Sequence, residues 1–258
     1  PVIGYPQAWT SGTNGVVAGD AVFATIDSPE DMTTWKGKLK GKFLLSTAMP
    51  DVPALFEAQA QRYTDDELRQ LERETVPTGR GGRGGRGALG GRGGTSAFAP
   101  TRTHFLREEG VFAITTRCRG TGGTVFVGGG GSREANAPAT IPAVTIAVEH
   151  YGRILRTLQK DQPVRIEMEI KNTFYDDPTS FNVVGEIPGT DKADEVVMLG
   201  AHFDSWQTGT GATDNAAGSA AMMEAMRILA QSKVPLRRTV RIGLWNGEEQ
   251  GLNGSNEY

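Results

Sequence analysis

Val196-Val197-Met198-Leu199-Gly200-Ala201-His202-Phe203-Asp204 decides how the second half of the chain is read. Val196 to Leu199 is continuously apolar, as expected of a central strand covered on both faces, and the run ends on a histidine and an aspartate. Downstream, Ala216 to Gln231 predicts a mostly buried helix: Glu224, Arg227 and Gln231 form a narrow polar stripe, and Met222, Met223, Met226 and Leu229 make its other sides apolar. Val240, Ile242 and Leu244 predict the next strand. Strand, helix, strand in this order implies an α/β sheet with a crossover connection. Upstream, Phe181 to Ile187 reads as a strand ended by the turn signal Pro188-Gly189. Arg165 to Tyr175 alternates Ile166, Met168 and Ile170 with Arg165, Glu167 and Glu169, the pattern of a half-exposed edge strand.

Before about Ile146 the texture differs. Short apolar runs broken by glycine (Val16 to Ala18, Ala21 to Phe23, Phe43 to Leu45, Val111 to Ile114, Thr124 to Val127) predict a small β-rich domain over residues 1–150, leaving 151–258 as a second domain. Thr64 and Glu67 form a capping-box pair ahead of Leu68 and Leu71, which marks one helix, and a second is expected from Thr103 to Glu109. Between them, Thr78 to Gly94 carries Arg80, Arg83, Arg86 and Arg92 in a glycine background with no acidic residue. Such a segment builds no core and is expected to be a mobile surface loop. It contains no aromatic residue to stack on a base, so a nucleic-acid role is not expected.

Composition bounds the function further. A formal charge of −3 and a pI near 5.7 over 258 residues give no global attraction to nucleic acid or to an anionic membrane surface. No run of about eighteen apolar residues predicts a membrane span. The single Cys118 leaves no internal disulfide and no cysteine-rich metal site. Pro1 to Tyr5 resembles neither a signal peptide nor a natural start, so both ends are expected to be internal to a longer protein.

Chemistry concentrates in three clusters: His202 with Asp204, Asp214 with Asn215, and Glu248 with Glu249. Each falls where a predicted strand meets a loop or helix, and reactive groups of open α/β sheets gather beyond the carboxyl ends of the strands. Imidazole nitrogen and carboxylate oxygen are preferred donors of zinc. In an extended segment, alternate residues point the same way, which lets Asp204 fix the ring of His202. Taken singly, His202 would pass for a structural histidine and the glutamate pair for an acidic helix start. Trp206 fits either a substrate pocket or a loop plug, and His104 and His150 read as surface residues of helices.

The stretches G-A-H-F-D-S-W (200–206), G-A-T-D-N-A-A-G (211–218) and W-N-G-E-E-Q-G-L-N-G-S (245–255) resemble the M28 family of zinc peptidases, its carboxypeptidase Q-like branch in particular. Gly37 to Lys42 and Gly128 to Ser132 give the first part a likeness to the protease-associated domain found inserted in such enzymes. The resemblance implies a three-layer mixed sheet with helices on both faces, incomplete here, and two zinc ions. It makes His202 a ligand of one ion, Asp214 the bridging ligand, Glu249 a ligand of the other and Glu248 the general base. Asp204 supports catalysis, and Trp206 and Asn215 would line the substrate pocket. It further implies a cis peptide at Asp214-Asn215, a peptide substrate as aminopeptidase or dipeptidase, and a secreted or periplasmic enzyme.

Family members use a further aspartate and histidine downstream of the glutamate pair, and neither follows Glu249 here. That leaves two protein donors for each ion, where a catalytic zinc usually has about three, so the chain alone is expected to bind zinc weakly and turn over little. Two other readings stay open: a peptidase-like binding or receptor protein, against which Glu248 argues, and zinc-dependent acyl transfer or cyclisation on the same scaffold.

Overall fold

The computed structural model describes residues 1–52, 54, 56, 58, 62–73, 98–134, 137–177 and 179–258. The arginine- and glycine-rich segment Thr78 to Gly94 lies outside the described residues. The chain forms two compact units, Pro1–Asn172 and Thr173–Tyr258.

The first unit contains strands β1 (Gly4–Pro6), β2 (Val17–Phe23), β3 (Phe43–Leu45), β4 (Ala113–Arg117), β5 (Ala143–Ile146) and β6 (Arg165–Met168). Its helices are α1 (Pro29–Trp35), α2 (Asp65–Arg73), α3 (Ala99–Glu108) and α4 (Val148–Leu158). The sheet order is β1-β5-β4-β3-β2-β6. The inner four strands are parallel, and β1 and β6 add antiparallel edges. The unit is therefore α/β and more helical than its glycine-broken texture predicts.

The reason lies in the inner strands. Leu44 and Leu45 point to opposite faces of the sheet, and both are buried because each face carries its own core. One joins Leu45, Val144, Ile146, Tyr151 and Leu155, with α4 as its cover. The other joins Leu39, Leu44, Leu106, Val111 and Ile141, with Met32 and Trp35 of α1 against it. Two-sided cover accounts for the unbroken apolar run of β3 and for the burial of every residue of β5. Tyr151, fully buried, donates its hydroxyl proton to the carbonyl of Thr47 (2.6 Å) and accepts the Thr47 N–H (2.9 Å).

Local signals in this part are realised with shifted bounds. Thr64 and Glu67 cap α2 reciprocally, and the helix expected from Thr103 begins at Ala99, with Pro100 in its first turn. Thr124 to Val127 forms no strand. It belongs instead to a loop wrapped on buried Cys118, whose sulfur accepts the N–H groups of Gly120 (3.1 Å) and Phe126 (3.0 Å). The edge strand expected from Arg165 is β6, whose one strand neighbour among the described residues is β2. Through that pairing β6, together with α4, belongs to the first unit, so the division falls at Asn172 rather than near residue 150.

The second unit contains β7 (Val183–Ile187), β8 (Lys192–His202), helix α5 (Ala217–Ser232), β9 (Arg238–Trp245) and the short helix α6 (Asn253–Glu257). Its sheet order is β7-β9-β8, with β8 parallel and β7 antiparallel to β9. Two expectations are corrected here. β8 is an edge strand with Val196, Val197 and Met198 exposed, because its one strand neighbour among the described residues is β9. α5 is largely exposed, Ser219 being its one buried residue, because it packs on β8 and β9 with one side while Met223 and Ile228 face outward.

Candidate active site

The three clusters converge at the carboxyl ends of β8 and β9. β8 ends at His202, which pairs with Trp245 at the end of β9, and the N–H of Phe203 continues the ladder onto the carbonyl of Trp245 at 2.9 Å. The buried hydroxyl of Ser219 donates to the carbonyl of His202 at 2.7 Å, which fixes the first turn of α5 to the end of β8. Before α5 the chain passes through an irregular turn, Ala212–Ala216, entered at Gly211 with φ +66°. Asp214 sits in that turn with a cis peptide to Asn215, as the family resemblance implied, and its side chain is exposed.

His202 is nearly buried. Its Nδ1 lies 3.1 Å from the carbonyl oxygen of Asp204 and 3.4 Å from Asp204 Oδ1. A hydrogen on Nδ1 directed to these oxygens leaves Nε2 as a lone pair. Nε2 lies 3.1 Å from Asp214 Oδ1 and 3.7 Å from Glu248 Oε2. The expected Asp204–His202 contact is therefore made, and Asp204 does a second job that residue spacing gave no hint of. Its Oδ1 accepts the N–H of Glu248 (3.1 Å) and its Oδ2 the N–H of Glu249 (3.2 Å). One carboxylate thus ties the end of β8 to the loop that leaves β9.

That loop turns sharply. Gly247 adopts φ +68° and Leu252 φ +62°, and the N–H of Gly254 closes onto the carbonyl of Asn246 at 2.8 Å. Glu249 is half-buried and its carboxyl is pushed above the usual range, first by burial and then by the negative charges of Asp214 and Glu248. Four carboxylates gathered around one imidazole repel one another, so a cation at this place would relieve them.

The donor set, one imidazole nitrogen and several carboxylate oxygens, suits zinc. Two donors at 2.0–2.2 Å from a tetrahedral ion lie roughly 3.3 Å apart, close to the 3.1 Å between His202 Nε2 and Asp214 Oδ1. The count is the shortfall. Among the described residues no group of three or more His, Cys, Asp or Glu side chains is arranged to hold a metal ion, so this pair fits one edge of a coordination shell.

The remaining candidates are dispersed. Trp206 is half-buried in the loop after β8, its carbonyl accepting the N–H of Gly209 at 3.0 Å. Asn215 lays its side chain over Gly218, where an added Cβ would come within 2.1 Å of Oδ1. In the first unit, His150 accepts the N–H of Ile3 at Nδ1 (2.8 Å) and His104 lies beside Arg107, so neither takes part. Sequence reading missed Ser219 and Asn182, the latter reaching the Glu248–Glu249 loop from the start of β7. A polar residue directly before an apolar strand was the one available signal for Asn182.

Residues 182–258 match the model of Peptidase family M28. The match lies within the second unit. Carboxypeptidase Q of Mus musculus is 36% identical over 118 residues, which is 46% of this chain and 25% of that protein. The chain thus spans about a quarter of the length of the curated relatives it matches. Among solved structures, a peptidase M28 precursor from Shewanella amazonensis SB2B superposes with a TM-score of 0.58 at 26% identity, covering 100% of this chain and 51% of its own. BSAP, a zinc aminopeptidase from Bacillus subtilis, gives 0.51 at 17% identity, covering 100% and 48%. These likenesses support the mixed α/β fold, and the stretch that matches the M28 model contains His202, Asp204, Asp214, Glu248 and Glu249.

Proposed function

We propose that the M28 segment supplies part of the active site of a zinc-dependent exopeptidase in which Glu248 is the general base. The reading rests on one observation: His202 Nε2 lies 3.1 Å from Asp214 Oδ1 and 3.7 Å from Glu248 Oε2, at the carboxyl end of a parallel strand. The family match and the zinc aminopeptidase among the structural neighbours point the same way.

His202 and Asp214 would donate to one ion, and Asp214 and Glu249 to a second. Bound zinc supplies Lewis acidity, lowering the pKa of water and polarising a carbonyl. Glu248 takes a proton from the attacking water, whose oxygen bonds to the peptide carbonyl carbon. As the C–N bond breaks, Glu248 returns that proton to the departing amine. Asp204 holds the imidazole of His202 and the main chain of both glutamates. On the same reading the first unit is a protease-associated domain; its Gly37 to Lys42 and Gly128 to Ser132 segments support this.

The test uses the full-length protein with zinc and aminoacyl and dipeptide substrates. Glu248→Gln should lower kcat by at least about a hundredfold, the lower range for a lost general base, with the zinc content of the wild type. A variant that turns over normally removes Glu248 from the base role, and a wild type inert toward every peptide sinks the exopeptidase reading in favour of a binding protein. The 258-residue chain, with two donors per ion, should bind zinc weakly by titration calorimetry and hydrolyse little.

A further inference from the structure

We propose that Asn182 is a positioning residue that clamps the Glu248–Glu249 loop from the side opposite Asp204; its effect on catalysis rests on the exopeptidase reading above. β9 has two strand neighbours, and each sends one side chain to the loop that leaves it. From the end of β8, Asp204 accepts the N–H groups of Glu248 and Glu249. From the start of β7, Asn182 accepts the N–H of Asn246 on Oδ1 at 3.1 Å and donates from Nδ2 to the carbonyl of Gly254 at 2.8 Å.

Asn246 and Gly254 are the two ends of the loop, so one amide group closes it as a ring. The antiparallel register of Val183 with Leu244 brings Asn182 within reach of both. The fit is close: an added Cβ on Gly254 would come within 2.2 Å of Asn182 Oδ1 and 2.5 Å of the carbonyl oxygen of Asn246. The position demands a donor and an acceptor on one short side chain. Aspartate lacks the donor and alanine lacks both. Without the amide the ends keep the bond from the Gly254 N–H to the Asn246 carbonyl but lose their tie to β7, so the loop can shift Glu248 relative to His202, and misplacement of about 1 Å in a catalytic group costs on the order of a hundredfold.

The experiment compares wild type, Asn182→Asp and Asn182→Ala as full-length proteins, with NMR-detected amide exchange on the same samples. The expected result is a kcat lowered about 10–100-fold, the range for lost supporting hydrogen bonds, with KM and zinc content near wild type. Amides of residues 246–249 should exchange at least about tenfold faster, the factor corresponding to about 1.4 kcal/mol, while those of β8 stay protected. Unchanged kcat and loop exchange overturn the proposal. So does faster exchange spread equally over β7, β8 and β9, which marks a merely structural asparagine. If the wild type hydrolyses no peptide, the exopeptidase reading fails, and the loop exchange decides the clamp on its own.

Discussion

Replacing Asp204 by asparagine tests the double role of its carboxylate. The side chain is 12% exposed, accepts the N–H groups of Glu248 and Glu249 at 3.1 and 3.2 Å, and lies 3.4 Å from His202 Nδ1. Asparagine keeps the shape and one acceptor oxygen, but turns an NH2 group toward the other amide. One hydrogen bond to a charged group, about 1.5–3 kcal/mol, gives way to a donor facing a donor. At about 1.4 kcal/mol per tenfold, the fraction of molecules with the loop in its observed conformation falls about ten- to a hundredfold. In Asp204→Asn, exchange of the Glu248 and Glu249 amides should quicken by that factor while β9 stays protected, and kcat of the full-length enzyme should fall by a similar factor with a smaller change in KM. Loop exchange and kcat both within about twofold of wild type would refute the reasoning, because a bond of this kind cannot give way silently to two facing donors.

Other expectations concern packing and charge. Tyr151→Phe removes a hydroxyl that makes two hydrogen bonds with Thr47, and should destabilise the first unit by about 2 kcal/mol, read as a lower urea midpoint with an unchanged slope. The Asp31 carboxyl is held below its usual range, first by the N–H of Asp27 and then by the hydroxyl of Ser28. Its contribution to stability is present above the unfolded carboxylate pKa and is lost as pH falls through the lower folded value; NMR titration should place that midpoint below 3.8 and Ser28→Ala should raise it. Ser219→Ala leaves the His202 carbonyl without its 2.7 Å donor, and should cost about 1–3 kcal/mol as a buried unpaired acceptor, seen as lower thermal stability of the second unit.

The candidate site residues stood out because they carry rare side chains at strand ends, where backbone periodicity dictates direction. His202 and Asp204 alternate along one extended segment, and the structure sets Asp204 on the Nδ1 side of the ring as that alternation requires. The residues that hold the chemistry in place were not legible. Asp204 meets the amides of Glu248 and Glu249, and Asn182 the ends of the same loop, across sequence separations of 44 to 72 residues. Neither partner is a side chain, so no pattern of residue types records the contact.

Burial failed for a related reason. The apolar run Val196 to Leu199 and the methionines of α5 report what these residues can be packed against, whereas exposure depends on what surrounds them. In the first unit the same kind of run, Phe43 to Leu45, is fully buried because helices and loops bring a second apolar surface to each face of the sheet. In the second unit β8 has β9 on one side and α5 on one face, and Val197 and Met198 stay exposed. Apolarity thus fixed the identity of both strands but not their surroundings. The site escapes that ambiguity: its geometry rests on the end of the β8–β9 ladder, on Ser219 beneath His202 and on the two side chains from β7 and β8, all within one unit. Substitutions at Asn182, Asp204 and Ser219 therefore probe the site directly, whatever packs on the outer faces of β8 and α5.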